Sequence, residues 1–457
     1  MNGLSRSHSG SVAFLQLGLE LGCFAAAVVL AVRYHTALAS SSVTGPALVF
    51  ALLMVGLNAA FGLYRRDRPL PFGEYSVRQA AALGIGLPVA YLALNNLPGG
   101  AVFQQAFVPA VLIAVAGLLA VRQVMASVVG RTLLPYRVLV LGTGPEALGV
   151  ETSLAGARRS GFSLVGFYPL EKITARSVTA SRILSSHLTL EEAVQHLAVD
   201  EIIVAAREQR GGVLPLRQLL ECRLRGILVS DLPRFYERVH GRLLIDSLKA
   251  SWLIYGEGFR QTWLRSFMKR AFDIILVTAF LPFALPIMAL MAFLIALEGR
   301  PIIYKQERVG LRGETFTLLK FRSMARDAEK DGRASWASVN DSRVTSLGRF
   351  MRRSRIDELP QLINVLKGEM SFIGPRPERP QFVATLTNKI PFYAVRHSVK
   401  PGLTGWAQVR YTYGGNVEES VKKLEYDLYY VKNHSLLLDL LILLKTVRVV
   451  LLGEGAR

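Results

Sequence analysis

The first 130 residues alternate four long apolar runs with short polar connections. The runs cover residues 11–32, 43–64, 80–97 and 102–121. About 20 consecutive apolar residues are enough for a helix to cross a bilayer, so the pattern predicts four transmembrane helices. The carboxylate of Glu20 interrupts the first run, and we expect it to face the neighbouring helices rather than to serve a functional site.

The distribution of basic residues predicts how these helices are oriented. The third connection, NNLPGG, has no basic residue, whereas arginines occupy the second connection and follow the fourth run: Arg65, Arg66, Arg68, Arg78, Arg122 and Arg131. Cytoplasmic loops carry an excess of Lys and Arg. The N-terminus and everything after residue 122 are therefore predicted to be cytoplasmic.

From Tyr136 onward the pattern changes to short β-branched runs that alternate with helical stretches. YRVLVLGTGPEALGV indicates a strand, a glycine turn and the start of a helix, and SLVGFYP, VDEIIVAA and GILVSD are typical of further strands of a parallel sheet. The turn fits G-x-G-x-x-A with Gly142, Gly144 and Ala147, whose amides at a helix N-terminus are placed to hold a pyrophosphate. A ligand-free scaffold is the preferred interpretation, and a working nucleotide site stays open.

A fifth apolar run, residues 271–297, contains Pro282 and Pro286 near its middle. Each proline removes a backbone hydrogen bond and kinks a helix. A break there leaves arms of about 13 residues, or about 20 Å, which is too short for a hydrocarbon core of about 30 Å. Because basic residues flank both ends of the run, we expect a re-entrant helix that returns to the cytoplasmic face; a kinked full span is the alternative.

The last apolar run, residues 435–452, contains Asp439, Lys445 and Arg448. These charges favour a helix that lies in the membrane surface over one that crosses it.

Composition supports a membrane protein with anionic partners. The chain has 457 residues, of which 51% are hydrophobic, and a formal net charge of +20 that is spread along its length. In a membrane protein, anionic headgroups and phosphorylated substrates fit this charge better than nucleic acid does. Cys23 and Cys222 are the two cysteines, which excludes a disulfide framework and a cysteine-based metal site.

The candidate chemistry lies at Asp357 and Glu358, just before a helix that begins near Pro360. A capping acid with a solvated neighbour is one interpretation. The other rests on the arginines around the pair, since guanidinium groups bind phosphate in a bidentate manner: Arg349, Arg352, Arg353, Arg355, Arg376 and Arg379. Ionised carboxylates in such a setting can attack phosphorus or hold Mg²⁺.

Residues 262–457 resemble the bacterial sugar transferases, which are polyprenyl-phosphate hexose-1-phosphate transferases with one re-entrant membrane helix. The resemblance is carried by KRAFDIILVTAFLPFALP, PIIYKQERVGLRGETFTLLKFRSM, RRSRIDELPQLINVLKGEMSFIGPRPERP, RHSVKPGLTGWAQV and YDLYYVKNHSLLLDLLIL. The whole layout is similar to the long members of the family, which place four spans and a Rossmann-like domain before the catalytic part. WASVNDSRVTSLGRF resembles the subgroup found in exopolysaccharide loci.

The resemblance implies a membrane α plus α/β protein of three domains. These are a four-helix transmembrane domain at 1–130, a Rossmann-like cytoplasmic domain at 131–260, and a mainly helical catalytic domain at 261–457 with a re-entrant helix at 267–297. It implies a multi-pass protein of the bacterial inner membrane, with its catalytic domain on the cytoplasmic face. A homodimer is the expected assembly.

The resemblance also implies an activity: transfer of a hexose 1-phosphate from a UDP-sugar to undecaprenyl phosphate, with release of UMP, as the first step of exopolysaccharide synthesis. UDP-glucose and UDP-galactose are the expected donors, and Mg²⁺ is the expected cofactor. Asp357 matches the family's nucleophile and Glu358 its partner, both beside the metal.

Further residues match the family's motifs. The residues expected at substrate phosphates are Arg352, Arg353, Arg376, Lys320 and Arg322. Pro286 matches the helix-breaking proline, but Leu285 stands where the family commonly has serine, so the break is expected to use Pro282 as well.

Two alternatives remain open at this stage. The first is an NAD-dependent dehydratase or epimerase that acts on nucleotide sugars through the middle domain. The candidate ribose-binding acid, Glu171, follows Pro169, however, and this proline also prevents Tyr168 and Lys172 from sharing a regular helix. The second is a non-catalytic membrane scaffold for polysaccharide synthesis.

Overall fold

The computed structural model describes residues 5–35, 43–64, 72–96, 100–125, 136–156, 162–170, 177–185, 188–206, 213–248, 258–259, 261–325, 343–411 and 416–451. The chain divides into two compact units, Met1–Val239 and His240–Arg457. The three-domain division stays a prediction. Arg65, Arg66, Arg68, Arg131, Glu171 and Lys172 lie outside the described residues.

The first unit begins with four helices, as the apolar runs predicted. They are α1 (Ser5–His35), α2 (Thr44–Ala60), α3 (Phe72–Asn95) and α4 (Gly100–Val124). Small residues four positions apart are buried where these helices pack, among them Ala106, Ala110 and Ala114 of α4. A Cβ on Gly117 would collide with the sulfur of Cys23, so glycine lets α4 approach α1 closely.

Three of these four helices are long and apolar enough to cross a membrane: Phe14–Tyr34, Tyr75–Asn95 and Gln104–Val124. Helix α2 has 17 residues, fewer than the 22 predicted for this run. Its length of about 26 Å is at the lower limit for a span. The chain is therefore a membrane protein with several apolar helices.

Glu20 faces the neighbouring helices, as predicted. It is fully buried and accepts hydrogen bonds from Asn58 of α2 and from Tyr64, just after α2. Arg122 of α4 pairs with the same carboxylate at 2.6 Å. One buried ion pair therefore connects three helical segments of the bundle.

Removing one partner of this pair should destabilise the helical bundle. We expect Glu20→Leu to lower the free energy of unfolding by about 3–5 kcal/mol, because it leaves the Arg122 cation buried without its counter-charge. The double variant Glu20→Leu/Arg122→Leu should recover most of that loss. Unfolding in detergent, followed by circular dichroism, measures both; a double variant as unstable as the sum of the single variants would contradict the expectation.

The rest of the first unit is built on a parallel sheet, as predicted. Its strands are β1 (Tyr136–Leu141), β2 (Phe162–Tyr168), β3 (Glu201–Val204) and β4 (Leu228–Asp231), in the order β2-β1-β3-β4. Helices α5 (Pro145–Gly156), α6 (Leu190–His196), α7 (Leu216–Leu224) and α8 (Leu232–His240) alternate with them. Each strand pairs in parallel with its neighbour, and β1 and β3 are buried almost throughout.

The second unit combines one long helix with short strands and helices. Its elements are α9 (Trp263–Glu298), β5 (Ile303–Val309), β6 (Thr315–Phe321), α10 (Ser346–Arg353), α11 (Gln361–Lys367), β7 (Ser371–Ile373), α12 (Pro380–Lys389), β8 (Gly402–Thr404), α13 (Trp406–Arg410), α14 (Val417–Asn433) and α15 (Leu436–Leu451). Strands β5 and β6 form an antiparallel hairpin, and β7 pairs with β8 in parallel.

Helix α9 is continuous from Trp263 to Glu298 and includes Pro282 and Pro286. The predicted break at these prolines is therefore not confirmed, and by length and composition this helix could also cross a membrane. One face is buried along the whole helix, at Asp273, Val277, Ala284, Met291 and Ile295. The opposite face exposes large apolar side chains, among them Phe283, Leu290, Phe293 and Leu297.

Both ends of α9 contact other elements of the second unit, to which this helix itself belongs. Near the start of α9, Arg270 donates to the carbonyl oxygen of Val365 in α11, and Asp273 accepts from the amide of Phe372 at 3.0 Å. Near the end of α9, the carbonyl oxygen of Ile295 accepts from Arg322 at 3.4 Å, and Ile295 belongs to the same buried hydrophobic cluster as Phe321 of β6. The helix is thus fixed to one unit at two points about 33 Å apart along a straight helix.

The last apolar run forms α15, and its acidic residue is turned inward. Asp439 is 1% exposed and accepts a hydrogen bond from Tyr430 at 2.8 Å. It also pairs with Lys269 of α9 at 3.0 Å. The predicted placement of α15 in the membrane surface stays a prediction.

Two histidines of the second unit, His397 and His434, make a contribution to stability that falls in mild acid. Burial, helped by the nearby cations Arg265 and Lys269, lowers the pKa of His434 to about 4, and burial lowers that of His397 to about 4. A histidine whose folded pKa lies below its unfolded value of about 6.5 adds stability that is present above pH 6.5 and lost as the pH falls towards 4.

Between pH 7 and pH 4.5, we expect the free energy of unfolding to fall by about 2 kcal/mol less in His434→Gln than in wild type. His397 would still titrate, so part of the pH dependence should remain. Denaturant unfolding at both pH values measures this difference, and His196→Gln, at an exposed histidine, is the matched control. Identical losses in wild type and His434→Gln would show that the His434 imidazole does not contribute.

Candidate active site

A tight turn between two helices presents Asp357 and Glu358. Helix α10 ends at Arg353, Arg355 takes a left-handed backbone conformation (φ 58°, ψ 15°), and residues 356–358 form one turn of 3-10 helix. Pro360 then caps α11, as its position in the sequence predicted. Both carboxylates are 7% exposed, so they are not a capping acid with a solvated neighbour.

Three cations surround the carboxylate of Glu358. Its Oε1 atom lies 2.6 Å from Arg376 Nη2, 3.3 Å from Lys320 Nζ and 3.5 Å from Arg355 Nη1. Burial alone would raise the pKa of Glu358, but Arg376, Lys320 and Arg355 together hold it well below its usual range. Glu358 is therefore ionised at neutral pH.

Asp357 has the opposite environment. Burial, and next the negative charge of Glu358, raise the pKa of Asp357 above its usual value, although the same cations oppose the shift. Its Oδ1 atom is buried and accepts no hydrogen bond from any residue in the described part of the chain. Nε2 of Gln361, one helical turn further on, is likewise a buried donor for which the described residues supply no acceptor. Two buried polar atoms are thus available for a ligand.

Strand β6 brings Lys320 to the dyad, by which we mean Asp357 and Glu358. Asn364 of α11 is fully buried, donates to the carbonyl oxygen of Thr317 at 2.8 Å and accepts from the amide of Leu319 at 3.1 Å. These two bonds attach α11 to the strand residues just before Lys320. Burial lowers the pKa of Lys320, while Glu358 opposes that shift.

A buried ion pair between Arg396 and Asp427 holds the loop that carries Arg376. Arg396 is 3% exposed and donates to the carbonyl oxygen of Arg376 at 2.8 Å. The same guanidinium contacts Asp427 Oδ2 at 2.7 Å and the hydroxyl of Tyr393 at 2.9 Å. Arg308 adds a bond to the carbonyl oxygen of Pro377. These bonds hold the backbone on the C-terminal side of the Arg376 side chain. On its N-terminal side, the amide of Gly402 donates to the carbonyl oxygen of Pro375 at 2.9 Å.

The other predicted phosphate-binding residues do not join these ion pairs. Among the described residues, Arg352, which is half-buried, and Arg353, which is exposed, make no ion pair with Glu358. Arg322 lies at the end of α9, where it donates to the carbonyl oxygen of Ile295 at 3.4 Å. Their roles at substrate phosphates stay predictions.

The glycine turn of the first unit forms as predicted. Gly142 has φ 121° and its Cβ would lie 2.8 Å from the carbonyl oxygen of Ala205, so this position requires glycine. Gly144 and Ala147 are buried at the start of α5. Tyr168 ends strand β2 rather than lying on a helix, and its hydroxyl donates to the carbonyl oxygen of Leu188. A nucleotide at this turn stays a prediction.

Sequence reasoning missed two residues that build the site, Asn364 and Arg396, and named Arg355 only as one of several arginines near the dyad. Asn364 had a detectable signal, because a polar residue interrupts the apolar side of a short helix. Arg396 and Asp427 are 31 residues apart in the sequence, and no local sequence pattern predicts that they pair.

The dyad is compatible with the expected Mg²⁺. No group of three or more His, Cys, Asp or Glu side chains suited to a metal occurs among the described residues. Mg²⁺, however, usually takes one or two carboxylates and completes its coordination with water and substrate phosphates. The carboxylate of Asp357 is a suitable ligand, whereas Oε1 of Glu358 is engaged by three cations.

Comparison with known proteins places this site in a family. The sequence profile of the family described as bacterial sugar transferase matches residues 264–453, which include the dyad and all three of its cations. The UDP-galactose-lipid carrier transferase of Erwinia amylovora is 31% identical over 346 residues, which cover 70% of this chain and 69% of that protein. The chain belongs to the bacterial sugar transferase family.

Two other members of the family are similar over shorter segments. The UDP-N-acetylgalactosamine-undecaprenyl-phosphate N-acetylgalactosaminephosphotransferase of Aeromonas hydrophila is 43% identical over 242 residues, 53% of this chain and 56% of that relative. The UDP-glucose:undecaprenyl-phosphate glucose-1-phosphate transferase of Escherichia coli is 41% identical over 183 residues, 39% of each protein. The aligned part thus spans about half of these relatives or less.

The buried ion pair beneath the Arg376 loop should contribute more stability than a partly exposed pair on the same helix. We expect Asp427→Asn to lower the free energy of unfolding by about 3 kcal/mol, because it leaves the Arg396 cation buried and uncompensated. Lys423→Met breaks the pair with Glu378, whose side chain is 17% exposed, and should cost about 1 kcal/mol. Denaturant titration compares the two; equal losses would show that Arg396 is not held by charge.

Proposed function

We propose that the chain transfers a hexose 1-phosphate from a UDP-sugar to undecaprenyl phosphate and releases UMP. The observation that carries the proposal is the buried Asp357, whose Oδ1 atom lacks a hydrogen-bond partner among the described residues. Beside it, Glu358 gathers three cations. An acceptor oxygen without a partner next to a cluster of cations is suited to attack on an anionic phosphorus centre.

The proposed reaction has two displacements at the same phosphorus. Oδ1 of Asp357 attacks the phosphorus that bears the sugar, the P–O bond to the UMP part breaks, and UMP leaves with that electron pair. A phosphate oxygen of undecaprenyl phosphate then attacks the phosphorus of the aspartyl phosphosugar and displaces the carboxylate. The product is a lipid-linked diphosphosugar, and Asp357 returns to its starting state.

The dyad divides these tasks by electrostatics. Glu358 stays ionised because three cations lower its pKa. Its carboxylate in turn holds Arg376, Lys320 and Arg355 beside Asp357, where the phosphates of the substrate would bind. Mg²⁺ would be held at the dyad by carboxylate oxygens other than Asp357 Oδ1, which makes the attack, and it would neutralise the diphosphate and stabilise the departing phosphate. Arg396 fixes the Arg376 loop, so the site is arranged before substrate arrives.

We propose that α9 enters the membrane and returns to the cytoplasmic face, with the dyad at that face. Both ends of α9 contact the second unit, at Val365 and at Arg322. A helix whose far end lay across the bilayer could not make the second contact. The exposed apolar face, with Phe283 at 75% and Leu297 at 71% exposure, is suited to lipid.

The proposed donors are UDP-glucose and UDP-galactose, and the proposed role is the initiating step of exopolysaccharide synthesis in the bacterial inner membrane, by a homodimer. The names of the relatives give three different sugars: galactose, glucose and N-acetylgalactosamine. UDP-N-acetylgalactosamine therefore belongs in any test of the donor.

The test is release of UMP by the purified chain in nanodiscs with undecaprenyl phosphate, Mg²⁺ and each of these UDP-sugars in turn. We expect UMP to be released from one donor, at a rate proportional to the enzyme concentration. Asp357→Asn should lower that rate by at least about 10³-fold, because the amide is not a nucleophile. Omission of undecaprenyl phosphate should leave a single burst of UMP, of about one equivalent per active site.

Two controls make the result decisive. Asn388→Asp, at an exposed position near the end of α12, changes the charge at a residue outside the dyad and its three cations and should retain activity. Asp357→Glu keeps a carboxylate but displaces it, and should retain less than about 1% of the rate. Full activity of Asp357→Asn would rule out the covalent intermediate. If no donor released UMP, the proposed reaction would be contradicted.

A further inference from the structure

The three cations around Glu358 differ in how firmly they are held. Arg376 makes the shortest contact, at 2.6 Å, and its side chain is 19% exposed. Lys320 is 3.3 Å away and 17% exposed. Arg355 makes the longest contact, at 3.5 Å, and is the most exposed of the three, at 35%. Arg355 therefore stands at the open side of the cluster, where solvent and a ligand can reach it.

The backbone of Arg355 is also in an unfavourable conformation. Its φ of 58° lies in the left-handed region, which glycine and asparagine tolerate and other side chains rarely adopt. A glycine at this position would form the same turn without strain. Strain of this kind persists where the surrounding structure or the function requires the side chain.

The charges of the cluster leave room for an anion. Lys320, Arg355 and Arg376 contribute three positive charges, and the dyad contributes two negative charges when both acids are ionised. The cluster therefore has a surplus of one positive charge in the absence of substrate. Since Arg376 already donates to Glu358 at 2.6 Å, the most exposed cation is the one best placed to exchange Glu358 for an incoming anion.

We propose that Arg355 is a substrate-binding residue that turns from Glu358 to a phosphate group of an incoming substrate. The proposal rests on the proposed function, because that function supplies the phosphate. Two substrates carry one: the diphosphate of the nucleotide sugar and the phosphate of the lipid acceptor. A guanidinium can hold either in a bidentate manner, and the kinetic experiment below distinguishes them.

The chain provides a matched control for the strained backbone. Arg312, in the exposed turn between β5 and β6, has φ 57°, almost the same left-handed conformation. Arg355→Gly and Arg312→Gly therefore remove the same side chain from the same backbone conformation. Each should leave the melting temperature within about 3 °C of wild type, because the relief of strain is partly offset by the greater entropy of the unfolded chain.

The experiment measures KM and kcat for the UDP-sugar and for undecaprenyl phosphate separately. We expect Arg355→Gly to raise KM for one of the two by about 10- to 100-fold, the loss of one charge-assisted bond to phosphate, while Arg312→Gly behaves as wild type. Arg355→Lys should recover part of that loss, because it keeps the charge but not the bidentate geometry. The substrate whose KM rises identifies the phosphate.

A purely structural or electrostatic role predicts a different result. If Arg355 only adjusts the dyad, Arg355→Gly would lower kcat and leave both KM values unchanged, and that result would overturn the proposal. Equal KM effects in Arg355→Gly and Arg312→Gly would overturn it as well.

A binding measurement separates this proposal from the proposed function. If wild type releases no UMP from any donor, titration of UDP and of undecaprenyl phosphate against wild type and Arg355→Gly still tests Arg355. Weaker binding of either ligand by Arg355→Gly, with Arg312→Gly unchanged, supports a phosphate contact without the reaction. Equal binding by all three proteins, or no binding of either ligand to wild type, rejects it.

Discussion

The second unit depends on one buried carboxylate. Glu358 is 7% exposed, and an isolated ionised acid at that depth would cost several kcal/mol. It is tolerated because three cations reach it from three separate segments: Lys320 from strand β6, Arg355 from the turn after α10, and Arg376 from the loop after β7. The same contacts therefore neutralise Glu358 and bring those segments together. The neighbouring Asp357 is therefore buried and close to the same cations, and its Oδ1 atom has no hydrogen-bond partner among the described residues.

An arrangement of this kind is useful only if the cations stay in place, and the surrounding structure limits their movement. Asn364 attaches α11 to the backbone of β6 just before Lys320. Arg396 holds the carbonyl oxygen of Arg376 and is itself neutralised by Asp427. Burial would raise the pKa of Glu378, but Lys423, Arg396 and Arg308 lower it to about 2, so this acid also stays ionised beneath the loop. Polar groups at this depth act as fixed dipoles and charges, which is the form of stabilisation that the proposed phosphoryl transfer requires.

The sequence predicted what local periodicity determines. The four strands of the parallel sheet, the four N-terminal helices and the start of α11 after Pro360 follow from alternation, hydropathy and proline geometry, and the structure contains them all. The dyad, Lys320 and Arg376 were identified through the family resemblance, and they do meet. The pairing of Arg396 with Asp427 and the two bonds of Asn364 were out of reach, because they join segments 31 to 47 residues apart. The predicted break at the two prolines of α9 is not confirmed, because a helix can continue through a proline when other contacts compensate for the lost hydrogen bond.

The position of α9 and the position of the dyad are linked through strand β6. Lys320 lies near the end of β6 and Arg322 directly follows the last residue of this strand, so in extended backbone their Cα atoms are roughly 7 Å apart. Lys320 contacts Glu358, and Arg322 donates to the carbonyl oxygen of Ile295 near the end of α9. One short strand and the residue after it therefore connect an apolar helix to the dyad. The proposed lipid acceptor has its phosphate at the membrane surface and its chain in the bilayer, and such an acceptor requires a site held at a fixed depth. A strand meets that requirement better than a flexible loop does, since the ladder with β5 holds the backbone of β6 along its whole length.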